Sequence, residues 1–141
     1  MNLVVTGSSS GIGRALVERL LARGHRVWGA ARSDQTDFAV QHPGFNAIRA
    51  DVADWERMQA AAAGVAAEVP AVDGFVACAG VQGEIGRALE TDPAAWSATV
   101  RANLDGTYFA LRAFAPLLRA APRSSSAIVS TRRTMAVFAA P

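Results

Sequence analysis

The chain has 141 residues, of which 51% are hydrophobic and 18% charged, and its formal net charge is +2. These values indicate one globular domain that can bury about two-thirds of its unfolded surface, and they exclude a disordered charged tail. All fourteen basic residues are arginine, and the only tyrosine is Tyr108. Any chemistry assigned to these residues must therefore work without lysine and with a single phenol.

Composition also narrows the classes of partner. The isoelectric point is near 9.5, but the arginines are scattered from Arg14 to Arg133 rather than concentrated as in a nucleic-acid-binding surface. The single cysteine, Cys78, excludes an internal disulfide, and His25 and His42 are isolated, so we expect no metal site. The sequence has no signal-peptide pattern and no apolar stretch long enough to cross a bilayer, so we expect a cytoplasmic protein with no nucleic-acid or membrane partner.

The hydrophobic pattern alternates between periods of about 2 and 3.6 residues, which is typical of β-α-β units around a parallel sheet. The five predicted strands are short apolar runs: Leu3–Thr6, Arg26–Ala31, Asn46–Ala50, Gly74–Ala79 and Ala127–Ser130. The predicted helices are one from Ile12 that ends at Gly24, a weak short one within Ser33–Gly44, one capped by Asp54 that runs toward Val69 and ends before Pro70, and one from Asp92 to about Arg119. The fold class predicted is a doubly wound α/β domain.

The last predicted helix is apolar on more than one side, with Trp96, Leu104 and Tyr108 among its apolar positions. A helix that is apolar on several sides is buried on several sides. One side is expected to meet the sheet, and the other to meet another helix or a second subunit. Helix 92–119 is therefore a candidate contact in a homo-oligomer.

A glycine-rich segment, Thr6–Gly13, lies between the first predicted strand and the first predicted helix. In that setting Gly7 permits a tight turn, Gly11 lets the backbone approach a pyrophosphate, and Gly13 allows close packing of helix on strand. The N–H groups of the first helical turn then face the anion. The alternative is a serine-rich turn that only caps a helix; the agreement of glycines, strand and helix favours dinucleotide binding.

The end of the second strand bears on the type of cofactor. An acidic residue there would accept hydrogen bonds from the ribose hydroxyls of NAD, but the chain has Ala31 followed by Arg32. A guanidinium can hold a 2′-phosphate through charge-assisted hydrogen bonds, which favours NADP(H) over NAD(H). The alternative is that Arg32 is a solvated loop arginine.

With three residues between Gly7 and Gly11, the loop resembles that of the short-chain dehydrogenase/reductase family. The segment around Asp51 is similar to a strand end of that family, which implies a contact between Asp51 and the adenine ring. Residues 77–80 match the family's Asn-Asn-Ala-Gly strand end with both asparagines replaced. The segment 100–107 resembles the helix that supplies the active-site asparagine, here Asn103.

The resemblance runs from residue 2 to about residue 129 in the correct order. It implies a Rossmann-like fold and hydride transfer between a nicotinamide and a carbonyl or alcohol of a small-molecule substrate. Asn103 is the candidate catalytic residue. The candidate cofactor-binding residues are Gly7, Ser9, Ser10, Gly11, Ile12, Gly13, Arg32, Asp51, Val52, Ala79 and Gly80.

The resemblance also implies a serine, a tyrosine and a lysine beyond the fifth strand, where the lysine lowers the pKa of the tyrosine that exchanges a proton with substrate. The sequence contains no Tyr-x-x-x-Lys pair. The serine is expected near Arg132 or Arg133, and the hydroxyls of Ser130 and Thr131 come too early for a match. Tyr108 lies within an apolar helical pattern, where a packing role with the hydroxyl at a boundary is expected.

Residues 130–141 fit neither the family pattern nor a clear helix or strand, so we interpret 1–129 as a dinucleotide-binding domain and 130–141 as an atypical tail. A frameshift after Val129 and a naturally short, non-catalytic family member are the two explanations. Under either explanation the fifth strand is a sheet edge and helix 92–119 has an exposed apolar face. We therefore expect poor solubility or a partner that covers this face. Two functions stay open: an NADP-dependent reductase, and a dinucleotide-binding or interaction remnant without turnover.

Overall fold

The computed structural model describes residues 1–87 and 89–122, and the backbone pairing of residues 125–129 and 135–138. The strands of its single sheet are β1 (Asn2–Thr6), β2 (Arg26–Ala31), β3 (Phe45–Arg49), β4 (Gly74–Ala77), β5 (Ser125–Val129) and β6 (Met135–Phe138). The helices are α1 (Gly11–Ala22), α2 (Thr36–Gln41), α3 (Trp55–Glu68), α4 (Pro93–Val100), a π-helical turn (Arg101–Asp105) and α5 (Gly106–Ala120). The strand order is β3-β2-β1-β4-β5-β6.

The first five strands are parallel to one another, which confirms the predicted doubly wound α/β fold. The sixth strand pairs antiparallel with β5, from Ser126 opposite Phe138 to Val129 opposite Met135. The expectation that no strand follows Val129 is therefore wrong for residues 135–138, and β5 is covered rather than a sheet edge. A four-residue apolar run shows too little periodicity to identify a strand without its pairing partner.

Alternate residues of each strand point to opposite faces of the sheet, and each face has its own core. On one face Val4 and Phe75 belong to a cluster that includes Met58 of α3. On the other face Leu3 and Val5 belong to a cluster with α1. Because both faces are covered, the strands are apolar without alternation, which is the pattern that allowed their prediction.

The helix ends agree with the predicted boundary residues. Asp54 caps α3, its carboxylate accepting a hydrogen bond from the Arg57 N–H at 3.0 Å. The same helix stops two residues before Pro70, and Gly24 follows α1 with φ of 75°. That left-handed conformation is open to glycine, which explains why the chain turns back toward β2 at this point.

The long helix predicted from Asp92 to Arg119 is interrupted by the π-helical turn. A π turn adds a residue to one helical turn and leaves no periodic signal in the sequence. As predicted, one side meets the sheet, since the rings of Phe75 and Phe114 are 5.8 Å apart. The other side is open in this chain, because Trp96, Leu104 and Tyr108 are each more than half exposed.

Among the residues described, no helix combines the length and apolarity needed to span a bilayer.

Candidate functional site

A cavity of about 350 Å³ opens at the carboxyl ends of the parallel strands. It lies where the strand order reverses between β1 and β4, the position at which open α/β sheets bind ligands. The structure brings all eleven predicted cofactor-binding residues, Gly7 to Gly80, to the lining of this one cavity. The lining residues that the sequence did not single out for binding are Ala30, Ala31, Ser33, Ala50, Cys78, Val81 and Ala102.

Two glycines of the loop are required by close packing. A Cβ on Gly13 would lie 2.1 Å from the Gly7 carbonyl oxygen, and one on Gly7 would lie 2.6 Å from the Ala79 backbone nitrogen. Gly7 also has φ of 70°. These distances agree with the tight turn and the close helix packing that the sequence predicted.

Gly11 differs from these two glycines because it faces open space. Its φ is 55°, and a Cβ there would meet no atom within 4 Å. The residue begins α1, whose first N–H groups have no partner within the helix. A bare backbone beside a helix N-terminus fits an approaching pyrophosphate, although the binding role of Gly11 stays a prediction.

Hydrogen bonds hold the start of the glycine loop against the ends of β2 and β4. The Gly7 N–H donates to the Ala30 carbonyl at 2.8 Å, and the Ala79 N–H donates to the Thr6 hydroxyl at 3.2 Å. Thr6 is only 1% exposed, so its hydroxyl serves this contact rather than a ligand. The loop geometry is therefore set before any ligand binds.

Among the residues that the structure describes, two charged ones line the cavity, Arg32 and Asp51. Arg32 is exposed directly after β2, whereas the preceding Ala31 is buried. The nearby Asp34 does not line the cavity, and its Oδ1 accepts hydrogen bonds from the Thr36 hydroxyl at 2.6 Å and the Thr36 N–H at 2.8 Å. The hydrogen bond from the Thr36 hydroxyl has the larger effect and that from the Thr36 N–H the smaller, and both lower the pKa of Asp34 at the start of α2.

The Asp51 side chain is fixed by its own loop, since its Oδ1 accepts a hydrogen bond from the Ala53 N–H at 2.9 Å. The neighbouring Val52 is buried under α5, and a Cβ on Gly106 would lie 2.6 Å from its Cγ2 atom. Gly106 therefore allows α5 to approach the end of β3. Sequence reasoning missed this contact because it joins residues far apart in the chain.

Asn103 lies in the π-helical turn and does not line the cavity, although Ala102 does. Its carboxamide accepts a hydrogen bond from the Val81 N–H at 2.8 Å and donates one to the Val81 carbonyl at 2.9 Å. In this structure Asn103 holds the loop after β4 at the cavity wall, and its catalytic role stays a prediction. The hydroxyls and arginines considered at 130–133 lie outside the described residues.

Tyr108 is 54% exposed on the outer side of α5 and does not line the cavity. Its hydroxyl accepts a hydrogen bond from Arg112 at 2.6 Å. Its ring lies 6.0 Å from that of the adjacent Phe109, and because more than half of its surface is exposed, the predicted packing role is not seen in this chain. The single phenol of the chain is thus separated from the predicted cofactor-binding residues.

Burial raises the pKa of the Cys78 thiol from 9.0 to about 11. At pH 9 a free thiol is half ionised and Cys78 about 1% ionised, so iodoacetamide should alkylate Cys78 about fiftyfold more slowly than the unfolded chain. The ratio should shrink as the pH rises toward 11, where Cys78 itself ionises. Mass spectrometry measures both alkylation rates, with the urea-unfolded chain as control. Equal rates at pH 9 would contradict the raised pKa of Cys78.

The parallel sheet and the glycine loop at its switch point define a Rossmann-like α/β protein. Residues 1–138 match the short chain dehydrogenase family, and the chain belongs to this family.

The chain is similar to the short chain dehydrogenase pigC of Monascus ruber, with 38% identity over 126 residues, 81% of this chain and 42% of that protein. It is also similar to the galactitol 2-dehydrogenase (L-tagatose-forming) of Cereibacter sphaeroides, with 39% identity over 130 residues. This alignment covers 89% of this chain and 50% of that protein. The crystal structure of a 3-ketoacyl-ACP reductase from Sinorhizobium meliloti 1021 superimposes with a TM-score of 0.85 and 30% identity over 91% of this chain and 53% of that one. The chain spans about half the length of the curated relatives it matches.

Proposed function

We propose that residues 1–129 of this chain bind NADP(H) as the cofactor-binding unit of a short-chain oxidoreductase. The observation that carries the proposal is the charge at the cavity edge after β2. Arg32 lines the cavity, the residue before it is Ala31, and Asp34, whose carboxylate accepts two hydrogen bonds from Thr36, is not among the lining residues. A guanidinium directly after β2, at the strand end where an acid would bind the ribose of NAD, suits the 2′-phosphate that distinguishes NADP from NAD.

The rest of the cavity fits an extended dinucleotide. The open space at Gly11 suits a pyrophosphate at the N-terminus of α1. Asp51 and Val52 would contact the adenine ring, and Ala79 and Gly80 would border the nicotinamide end. When bound there, NADP(H) supplies the hydride; this chain's residues bind the cofactor and orient it.

The proposal includes no turnover by these 141 residues. The family reaction needs a proton donor beside the nicotinamide, and the chain has no lysine to lower the pKa of a tyrosine. The hydroxyl of Tyr108 is bound to Arg112 outside the cavity, so it cannot take that place. We propose reduction of a small-molecule carbonyl only for a protein that also contains the tyrosine proton donor and the lysine.

Two further parts of the proposal concern the cellular location of the chain and the contact between its copies. A cytoplasmic location accords with the single Cys78, which has no partner for a disulfide. The exposed outer side of the long helix, with Trp96, Leu104 and Tyr108, is the proposed contact between copies of the chain.

Fluorescence titration with NADPH, paired with an assay for carbonyl-dependent oxidation of NADPH, tests the proposal. We expect saturable binding and no oxidation above the protein-free rate with any of a panel of ketones and ketoses. Oxidation that depends on both chain and carbonyl would select the alternative, a complete reductase. A titration without saturation would contradict cofactor binding itself.

A further inference from the structure

Two polar side chains are almost fully buried: Ser8, within the glycine loop, has 0% and Gln35, just before α2, has 4% of its surface exposed. The Ser8 hydroxyl donates a hydrogen bond to Gln35 Oε1 at 3.0 Å, and Gln35 Nε2 donates to the Gly29 carbonyl at 3.1 Å. Buried polar groups are costly unless they are paired, so these bonds select one arrangement of the three residues. Both ends of the Gln35 carboxamide are used.

The centre of β2 makes room for this contact. A Cβ on Gly29 would lie 2.6 Å from the Ser8 Oγ and 2.3 Å from the Phe45 Cε2 atom. A glycine at position 29 is therefore needed to leave space for the Ser8 hydroxyl beside β2.

The bonded pair joins two sides of the cavity. Ser8 immediately precedes Ser9, which lines the cavity at the glycine loop, and Gln35 lies three residues after Arg32. The following helix α2 is held separately, because the Arg14 guanidinium stacks 3.7 Å from the ring centroid of Phe38. The backbone of Gln35 also belongs to this helix end, because the Ala39 N–H donates to the Gln35 carbonyl at 3.0 Å. Loss of the carboxamide contacts would therefore loosen the segment 32–34 against the glycine loop while Gln35 and α2 stay on α1.

We infer that Gln35 is a positioning residue for cofactor selection: its carboxamide fixes the distance between the pyrophosphate loop and Arg32, and so aligns the guanidinium with the 2′-phosphate. The inference rests on the proposed binding of NADP(H). Gln35 does not line the cavity, so it acts through Arg32 rather than on the cofactor. Its effect must therefore appear in the discrimination between NADP and NAD, which differ only in that phosphate.

Calorimetric titration of Gln35→Leu with NADP⁺ and with NAD⁺ tests this role. We expect the affinity for NADP⁺ to fall about tenfold and that for NAD⁺ by no more than about threefold, because only NADP⁺ depends on the aligned Arg32. Gln41→Leu, the same change at an exposed position of α2, is the matched control and should leave both affinities within about twofold.

A Gln35→Leu chain that keeps the wild-type ratio of the two affinities overturns the inference. An equal loss for both cofactors also overturns it, since that result describes general loosening of the site. If Gln35→Leu fails to fold, Ser8→Ala removes one hydrogen bond of the pair and is judged by the same ratio. A wild-type chain without any preference overturns the cofactor proposal and this inference together, which distinguishes that failure from the other two.

Discussion

Gly13→Ala should destabilise the chain by about 3 kcal/mol and abolish cofactor binding. The added Cβ would lie 2.1 Å from the carbonyl oxygen and 2.8 Å from the carbonyl carbon of Gly7. Both are backbone atoms, so relief requires α1 to move away from β1 and the glycine loop to change shape. Urea unfolding followed by circular dichroism measures the loss.

Gly64→Ala is the matched control for this substitution. Gly64 lies inside α3, and a Cβ there would meet no atom within 4 Å. Alanine should raise the free energy of unfolding by about 0.5–1 kcal/mol, because it restricts the unfolded chain and favours the helix. Equal stability of Gly13→Ala and the wild-type chain would show that α1 does not pack on the loop as described.

Arg32→Ala should weaken NADP⁺ binding about thirtyfold and leave NAD⁺ binding within about twofold. Within the described part of the chain, Arg32 supplies the positive charge of the cavity lining, and its guanidinium would contact only the 2′-phosphate. Calorimetry at constant ionic strength measures both affinities, since phosphate contacts weaken as salt screens them.

Arg23→Ala provides the control for net charge. Arg23 is exposed just after α1, at the opposite end of the sheet from the cavity, and its loss changes the total charge by the same amount. We expect it to alter both affinities by less than about twofold, because exposed charges beyond a Debye length are largely screened. Equal weakening of NADP⁺ and NAD⁺ binding by Arg32→Ala would place Arg32 elsewhere than at the 2′-phosphate.

Local sequence determined what could be predicted of this site. The glycine loop occupies consecutive positions, so the turn at Gly7 and the close packing at Gly13 follow from chemistry within one segment. Arg32 could be assigned to the cavity from its place at the end of the second strand, and Asp51 and Gly80 from the resemblance to the short-chain dehydrogenase/reductase family; parallel strands bring all three to the same edge of the sheet.

The features that escaped prediction depend on contacts between distant segments. Ser8 and Gln35 are 27 residues apart, and nothing in the pattern around Gln35 marks it as buried. The close approach of Gly106 to Val52 and the pairing of β6 with β5 are likewise visible only after folding. The π-helical turn at Asn103 escaped prediction because one added residue within a continuous helical segment leaves no signal that marks its position.

A crystal structure of the chain with NADP⁺ tests the proposed cofactor site most directly. We predict the pyrophosphate at the N-terminus of α1 beside Gly11 and the 2′-phosphate within about 3 Å of the Arg32 guanidinium. A dinucleotide bound outside the cavity, or one whose 2′-phosphate points away from Arg32, would contradict NADP(H) binding as the function of these residues.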